Sequence, residues 1–248
     1  MYLPVTETGR IPVDAQGQPV LVAEPAGDIL VEAGDVDAFL LDTAAAEKLG
    51  TLQDATFFNG QSDILKAVHV IRNRREARFD PRTGEELQYP APGVVGRAGD
   101  RYVFPRLDPA VIGIIHHPES ERILLARNRH RPGFFSLIAG YVEPGETLEA
   151  AMAREALEET GRRLHTVRYW GSQPWPPSGS LMVGFSAVTE DVEAVCDTDE
   201  ELAEVRWVSR ADLPSMTIAR KGSIAHTMIM EWFHGDETGS VPVSYTHL

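Results

Sequence analysis

The chain has 248 residues, of which 43% are hydrophobic and 24% charged, as in an ordinary globular protein. No run of about 18 apolar residues occurs, so the sequence predicts no transmembrane helix and no membrane as a partner. The N-terminal residues lack the basic start and apolar core of a secretory signal. A single cysteine excludes a disulfide framework, so we expect a protein of the reducing cytoplasm.

Acidic residues outnumber basic ones by 37 to 23, which gives a formal net charge of −14. A chain with this balance is not expected to bind long polyanions through a general electrostatic footprint. A small anionic substrate would instead need a local basic patch or bound metal ions. The simplest interpretation of the acidic excess is a solvated surface.

The first 78 residues predict a small α+β domain. Short strands with turns are expected over 19–32, a short helix over 38–49, and an amphipathic helix over 63–78. Prolines and glycines then become frequent, which favours a connecting module over 79–103. We therefore place a domain boundary before residue 104.

The remainder of the chain predicts a sheet flanked by helices. The apolar run 110–115 is typical of a strand that is buried on both faces, and 122–126 suits its hairpin partner. Further strands are expected over 181–188 and 204–208, and a C-terminal helix over 224–233. The fold class is therefore α+β or α/β.

A helix rich in carboxylates carries the strongest chemical signal. Thr147 can serve as its N-cap and Gly161 is placed to end it. Glu155 and Glu159 share one face, with Glu158 beside them, close to the end where the helix dipole disfavours anions. A solvated acidic face would explain one such pair. A hard cation such as Mg²⁺ or Mn²⁺, which prefers carboxylate oxygens, would explain the whole cluster.

The residues around this helix match a longer pattern, G-x5-E-x7-R-E-U-x-E-E-x-G-U, where U is apolar. The matching residues are Gly140, Glu146, Arg154, Glu155, Glu158, Glu159 and Gly161. The sequence thus resembles the Nudix hydrolases, which cleave a nucleoside diphosphate linked to another group with the help of Mg²⁺ or Mn²⁺. Two apolar positions depart from the pattern: Ala156 is small, and Arg162 is expected to loosen the packing after the helix.

The resemblance implies a Nudix α/β/α sandwich over residues 104–235 and a role for each residue of the pattern. Glu155 and Glu159 would be metal ligands, assisted by Glu158, and either Glu158 or Glu159 would be the general base. The carbonyl of Ala139 would add a ligand. The resemblance assigns structural roles to Gly140, Glu146, Arg154 and Gly161, with Glu146 paired to Arg154.

Residues 172–182 resemble the array SQPWPFPxSLM that marks the NADH pyrophosphatase branch of this family, although Pro177 and Ser178 depart from it. Trp175 is suited to stack on a base, while Gln173 and Ser180 can hydrogen-bond polar groups. A proline-stiffened surface loop is the alternative. The branch also implies three further site residues, which are Tyr141 and Ala225 for substrate and Glu201 for metal.

This branch implies a metal-dependent NAD(H) diphosphatase that releases nicotinamide mononucleotide and AMP, works as a homodimer, and also removes NAD caps from RNA. The altered loop leaves other dinucleotides open as substrates, such as ADP-ribose, a diadenosine polyphosphate or FAD. A non-catalytic nucleotide sensor is a further alternative. It is disfavoured because sensors typically lose glutamates that are intact in this chain.

Members of the branch usually carry a four-cysteine zinc ribbon before the catalytic domain. In the corresponding place Asp80 and Thr83 stand where the first cysteine pair would be, and no second pair exists. These side chains cannot supply the thiolates of a tetrahedral zinc site. We therefore expect no structural zinc, and a module held by turns and packing alone.

The final residues, 243–248, resemble the translation of a sequencing-library adapter. We interpret them as an artefact and exclude them from the reasoning about the fold. The natural C-terminus is then not defined by the sequence.

Overall fold

A computed structural model gives the architecture of the chain. It describes residues 1–27, 29–90 and 93–235, so the adapter-like residues 243–248 lie outside the described part. The chain divides into two compact units. The first unit is Met1–Leu107 together with Pro174–Ser180, and the second is Asp108–Gln173 together with the residues from Leu181 onward.

Short strands and two helices make up the first unit. In chain order these are β1 (Tyr2–Val5), β2 (Arg10–Val13), β3 (Leu30–Glu32), β4 (Asp37–Leu40), α1 (Thr43–Glu47), β5 (Thr51–Asp54), a 3₁₀ turn (Ala55–Phe58), α2 (Ser62–Glu76), β6 (Gly96–Ala98) and β7 (Arg101–Val103). The sheet order is β1-β4-β3, with β1 and β4 parallel, while β2–β5 and β6–β7 form separate antiparallel pairs. The apolar face of α2, including Leu65 and Val68, packs into the core of this unit.

The helix predicted over 63–78 is confirmed by α2, within two residues at each end. The helix predicted over 38–49 is wrong in its first part, because 38–40 belongs to strand β4. That strand is hydrogen-bonded to β1 on one side and β3 on the other. Pairing on both edges therefore overrides the helical tendency of this alanine-rich stretch.

The connecting module is fixed by an ion pair as well as by turns, which corrects the expectation of turns and packing alone. The Asp80 side chain is fully buried and accepts hydrogen bonds from the Arg101 side chain, with Nε to Oδ2 at 2.7 Å and Nη2 to Oδ1 at 3.1 Å. The backbone amides of Arg82 and Thr83 also donate to Asp80 Oδ1. A carboxylate thus joins two segments of the module, at the position that the sequence analysis compared with the first cysteine of a zinc ribbon.

In its described part, the second unit consists mainly of one six-stranded sheet and two helices. Its elements are β8 (Asp108–His116), β9 (Ile123–Asn128), β10 (Ile138–Tyr141), α3 (Leu148–Thr160), β11 (Thr166–Trp175), β12 (Ser180–Val188), β13 (Leu202–Val208), a 3₁₀ turn (Leu213–Ser215) and α4 (Ile224–His234). The sheet order is β11-β12-β8-β9-β13, and β10 also pairs with β8. The pairings of β8 with β9, β8 with β10, and β9 with β13 are antiparallel.

Alternate residues of the central strand pack on opposite helices. Val111 and Ile115 of β8 lie in the cluster that contains Met152 of α3. Ile112 and Ile114 lie in the cluster that contains the apolar residues of α4. Because successive side chains of a strand point to opposite faces, the sheet lies between the two helices. The expected α/β/α sandwich is confirmed, with a smaller α+β part at the N-terminus.

The strands predicted over 110–115, 122–126, 181–188 and 204–208 are all present, and α4 matches the helix predicted over 224–233. Strands β10 and β11 were not predicted from the sequence. Across the described ranges, no helix combines the length and apolar character that a membrane span requires.

Candidate functional site

Both ends of α3 are fixed by local signals that the sequence already contains. The Thr147 hydroxyl accepts a hydrogen bond from the Ala150 amide at 3.2 Å, which caps the N-terminus. Gly161 adopts the left-handed conformation at φ 67° and donates its amide to the Leu157 carbonyl at 2.8 Å. The helix therefore ends where predicted, and Glu155, Glu158 and Glu159 occupy its last two turns.

Arg154 joins the loop before α3 to the helix itself. Its Nε and Nη2 donate to the two carboxylate oxygens of Glu146 at 2.7 and 3.0 Å, and Nη2 also donates to the Tyr141 carbonyl at 2.9 Å. Its Nη1 donates to Glu155 Oε1 and Glu158 Oε2, both at 2.9 Å. The expected Glu146–Arg154 pair is present, and this hydrogen bonding holds the pKa of Glu146 below its usual value. A bidentate pair of this kind fixes the position of both segments.

The Glu155 carboxylate lies directly against the backbone of Gly140 in β10. A Cβ atom added at residue 140 would be 2.0 Å from the Glu155 carboxylate carbon, a distance that real contacts do not reach. The first glycine of the Nudix pattern thus leaves room for the Glu155 carboxylate, which a larger residue would force to move. It allows the strand to approach the carboxylate of the helix.

Glu159 is the most buried carboxylate of the helix, with only 5% of its surface exposed. Burial raises its pKa to about 8, and the charges of Glu155, Glu201 and Asp199 add to this shift. The backbone amide of Ala139 donates to Glu159 and opposes it. The pKa of Glu155 is also raised, mainly by burial. A buried carboxylate among like charges is unfavourable unless a proton or a cation neutralises it.

This donor set fits a divalent cation, because hard ions prefer carboxylate and carbonyl oxygens. In the part of the chain that the structure describes, no three acidic, histidine or cysteine side chains already form a metal-binding group. Arg154 offers a physical reason, since its Nη1 holds an oxygen of both Glu155 and Glu158. Metal binding would require these two carboxylates to exchange the guanidinium for the ion.

A second segment contributes acids to the same helix end. Glu201 is exposed, and its Oε1 accepts a hydrogen bond from the side-chain Nδ2 of Asn128 at 2.8 Å. Its charge acts on both Glu155 and Glu159. Asp199 is a further neighbour of the site, which the sequence analysis did not single out. Its backbone amide donates to the Glu158 carbonyl at 2.9 Å. No signal in the sequence separates Asp199 from the other acids of this stretch, or identifies Asn128.

Gln173 is buried and its side-chain amide is used within the protein. Its Nε2 donates to the Gly222 carbonyl at 2.8 Å, and its Oε1 accepts from the Ile224 amide at 2.6 Å. Ser223 caps α4 by accepting from the amide of His226. Gln173 therefore fixes the start of α4, where Ala225 lies buried in the first turn.

The other expected substrate residues lie at an element end or in a turn. Trp175 ends β11 and is half-buried, and Ser180 begins β12 and is buried. Between them, the Ser178 amide donates to the Trp175 carbonyl, and the hydroxyls of Ser178 and Ser180 are 2.8 Å apart. Tyr141 follows Gly140 in β10 and exposes 55% of its surface. Its ring is accessible for stacking.

Comparison with known proteins identifies the family. The NUDIX domain model matches residues 106–233, which is more than half of the chain. The match includes the whole of α3 as well as Asp199 and Glu201. The chain belongs to the NUDIX family.

Within the Nudix pattern, the expectation that Arg162 loosens the packing after α3 is wrong. Arg162 is buried, and its guanidinium is hydrogen-bonded.

Relatives of known name support the same assignment. The chain is 38% identical over 187 residues to the NAD-capped RNA hydrolase NudC of Mycobacterium bovis, covering 71% of this chain and 56% of that protein. It is 43% identical over 129 residues to the NudC of Photobacterium profundum, covering 52% and 47%. The chain thus spans about half the length of these relatives. Their similarity confirms the expected branch of the family.

The fold is shared with a NUDIX hydrolase of Nitrosomonas europaea, whose crystal structure superposes with a TM-score of 0.51 at 22% identity. That alignment covers 66% of this chain and 94% of the other. At this level of identity the likeness concerns the fold alone. It agrees with the sandwich of β8–β13 between α3 and α4.

Proposed function

We propose that the chain is a metal-dependent NAD(H) diphosphatase, which hydrolyses the pyrophosphate of NADH or NAD⁺ to nicotinamide mononucleotide and AMP. The observation that carries the proposal is the burial of Glu159 among like-charged carboxylates at the end of α3. Such an arrangement is unfavourable for folding alone and suits an ion that bridges carboxylates and phosphates.

Each acid of the helix has a role in this proposal. Glu155 and Glu159 would hold Mg²⁺ or Mn²⁺ together with the Ala139 carbonyl, Glu201 would complete the set, and Glu158 or Glu159 would accept the proton of the attacking water. When bound, the ions would neutralise the pyrophosphate oxygens and lower the pKa of the water.

Arg154 would keep Glu146 in place throughout the reaction. Its contacts to that carboxylate use Nε and Nη2, whereas its contacts to Glu155 and Glu158 use Nη1. The Nη1 contacts could therefore be released to an ion without detaching the loop from the helix.

The substrate residues follow from the resemblance to the relatives. Trp175 and Tyr141 would stack on the bases, and Ser180 would hydrogen-bond a polar group. The Gln173 amide already binds Gly222 and Ile224. Gln173 would therefore contribute by fixing the backbone before Ala225, and the Ala225 backbone would contact the substrate.

A second candidate substrate class has an observation of its own. Ser178 replaces a proline of the branch, and its hydroxyl lies 2.8 Å from that of Ser180. This contact engages a group that was expected to meet the substrate. Another dinucleotide, such as ADP-ribose, a diadenosine polyphosphate or FAD, would be the preferred substrate if the changed loop no longer fits NADH.

The relatives named NAD-capped RNA hydrolase suggest that NAD at the 5′ end of RNA is also cleaved. The net charge of −14 disfavours extended contacts with the RNA backbone. Recognition would then be limited to the cap. The rate of cap removal should accordingly vary little between RNA of about 5 and about 50 nucleotides, and a strong increase with length would contradict cap-only recognition.

Steady-state kinetics on a substrate panel test the proposed function. We expect a higher kcat/KM for NADH or NAD⁺ than for ADP-ribose, FAD or diadenosine tetraphosphate, in the presence of Mn²⁺ or Mg²⁺. The Glu159→Gln variant should lose almost all turnover on every substrate. A preference for a substrate other than NAD(H) would select the second candidate, and turnover of none with wild-type protein would support the nucleotide-sensor alternative.

The homodimer and the cytoplasmic location belong to this proposal as well. They rest on the resemblance to the branch and on cysteine usage, respectively. Light scattering coupled to size exclusion should give twice the chain mass of 27.3 kDa. A single-chain mass at micromolar concentration would contradict the dimer.

A further inference from the structure

The segment between β12 and β13 folds back onto the C-terminal end of α3. The amide of Val195 donates to the Gly161 carbonyl at 2.8 Å, and that of Asp199 donates to the Glu158 carbonyl at 2.9 Å. These contacts satisfy carbonyls that every helix leaves without an intrahelical partner. They also bring the acidic residues of the segment next to the glutamates of the helix.

Arg162 forms hydrogen bonds both to this segment and to the end of α3. Its Nη2 donates to the Val192 carbonyl at 2.8 Å and its Nη1 to the Thr160 carbonyl at 2.7 Å. Its guanidinium also lies 5.8 Å from the centre of the Trp207 ring, whose indole N–H donates to the same Val192 carbonyl at 2.9 Å. Arg162 is only 7% exposed. An apolar residue, which the Nudix pattern has at this position, could make neither hydrogen bond.

Gly161 and Arg163 strengthen the same attachment. A Cβ atom at residue 161 would lie 2.7 Å from the Cβ of Ala194, so the segment packs directly on the glycine. Arg163 forms an ion pair with Asp191, with Nη2 to Oδ1 at 3.0 Å. Three consecutive residues after α3 thus hold the first half of the segment.

The second half of the segment carries the acids that act on the site. The amide of Glu201 donates to Asp199 Oδ1 at 2.9 Å, so the two residues are linked to each other. The charges of both act on the buried Glu159.

We propose that Arg162 is a positioning residue of the metal site: by holding the Val192 carbonyl, it keeps Asp199 and Glu201 against the end of α3, where they face Glu159. The inference rests on the proposed function, because it concerns the site that would hold Mg²⁺ or Mn²⁺. Arg162 is not one of the proposed metal ligands, and it stands where the Nudix pattern has an apolar residue.

Mn²⁺ binding to the full chain, measured by titration without substrate, tests this role. The Arg162→Met variant keeps much of the side-chain length but loses both donors, and we expect its Mn²⁺ affinity to fall by about 10- to 100-fold, the range typical of residues that orient metal ligands. The matched control is Arg168→Met, because Arg168 is exposed on β11. Its affinity should equal that of the wild type.

A double-mutant cycle with Glu201→Gln separates positioning from general damage. If Arg162 acts through Glu201, the double variant should bind Mn²⁺ about as well as Glu201→Gln alone. Full additivity of the two losses, or an unchanged affinity of Arg162→Met, would overturn the proposal. Wild-type protein that binds no Mn²⁺ would instead overturn the proposed function itself, and the positioning role with it.

Trp207→Phe provides an independent route if Arg162→Met does not fold. An aromatic ring remains, but the indole N–H, which is the second donor to the Val192 carbonyl, is lost. We expect a smaller loss of Mn²⁺ affinity that again disappears in the Glu201→Gln background. An Mn²⁺ affinity equal to that of the wild type would overturn the proposal.

Discussion

Replacing Glu159 with glutamine should stabilise the metal-free protein at alkaline pH while it abolishes metal binding. The pKa of Glu159 is raised from the usual 4.5 to about 8, chiefly by burial. Ionising this carboxyl in the folded chain therefore costs up to about 5 kcal/mol more than ionising it in the unfolded chain. Glutamine has nearly the same shape and carries no charge, so the variant avoids that cost.

The pH dependence of this effect has a definite sign. Below about pH 4.5 the carboxyl is protonated in both states and the cost is absent. As the pH rises, the unfolded chain releases the proton first, so the wild type loses stability up to about pH 8 and stays level above it. The difference between Glu159→Gln and wild type should thus grow from near zero at pH 4.5 to its maximum near pH 8, where about 5 kcal/mol corresponds to roughly 10 °C or more in Tm.

Thermal unfolding in EDTA, followed by calorimetry between pH 4.5 and 9, measures this difference. The control is Glu190→Gln, which makes the same substitution at an exposed position and should change Tm little. Addition of Mn²⁺ should then stabilise the wild type and leave Glu159→Gln unaffected. A Glu159→Gln protein that unfolds at a lower temperature than wild type at pH 8 in EDTA would refute the electrostatic reasoning.

Three further predictions concern the pH dependence of metal affinity, the room for a side chain at residue 140, and the stability of the connecting module. Mn²⁺ affinity should increase between pH 6 and 8, because binding displaces the Glu159 proton, and titrations that give one affinity across this range would contradict the raised pKa. Gly140→Ala should abolish turnover with an unchanged circular dichroism spectrum, because its Cβ would occupy the place of the Glu155 carboxylate; an active variant would show that the strand can move. Asp80→Asn should lower the unfolding temperature of the chain at pH 7. The pKa of Asp80 is held below its usual value by the Arg101 hydrogen bonds, so this stabilisation should be lost only as the pH falls below about 4, and equal melting of the two proteins at pH 7 would contradict it.

Local signals made α3 predictable. Thr147 and Gly161 mark its ends through their own backbone and side-chain chemistry, and the spacing of the glutamates follows from the helical repeat. The buried strands were predictable for the same reason, since an apolar run such as 110–115 needs no distant partner to be recognised.

Features that depend on distant partners could not be predicted in this way. Strand β11 was missed because its residues are mostly exposed or half-buried and show no clear apolar pattern. It is stabilised by its pairing with β12, which is distant-partner information. The role of Arg162 depends on Val192 and Trp207, which lie 30 and 45 positions further along the chain. Asp80 likewise pairs with Arg101 across the module. Nothing within a few residues of these side chains indicates their partners.

The burial of Glu159 among carboxylates is also a tertiary property. The sequence shows that Glu155, Glu158 and Glu159 share a helix. It does not show that Glu159 is covered while Glu158 exposes half of its side chain, nor that Asp199 joins them. The division of roles among the three glutamates therefore becomes an experimental question only once the fold is known.

The most direct test of a hydrolytic metal site on α3 is a product assay with NADH and Mn²⁺ or Mg²⁺ in ¹⁸O-water, read by mass spectrometry. We predict AMP and reduced nicotinamide mononucleotide, with one ¹⁸O atom in one of the two products and no reaction in EDTA. The labelled product would identify the attacked phosphorus. Undiminished cleavage in EDTA, or a wild-type protein that binds Mn²⁺ and cleaves no dinucleotide, would contradict the claim that the acids of α3 form a hydrolytic metal site.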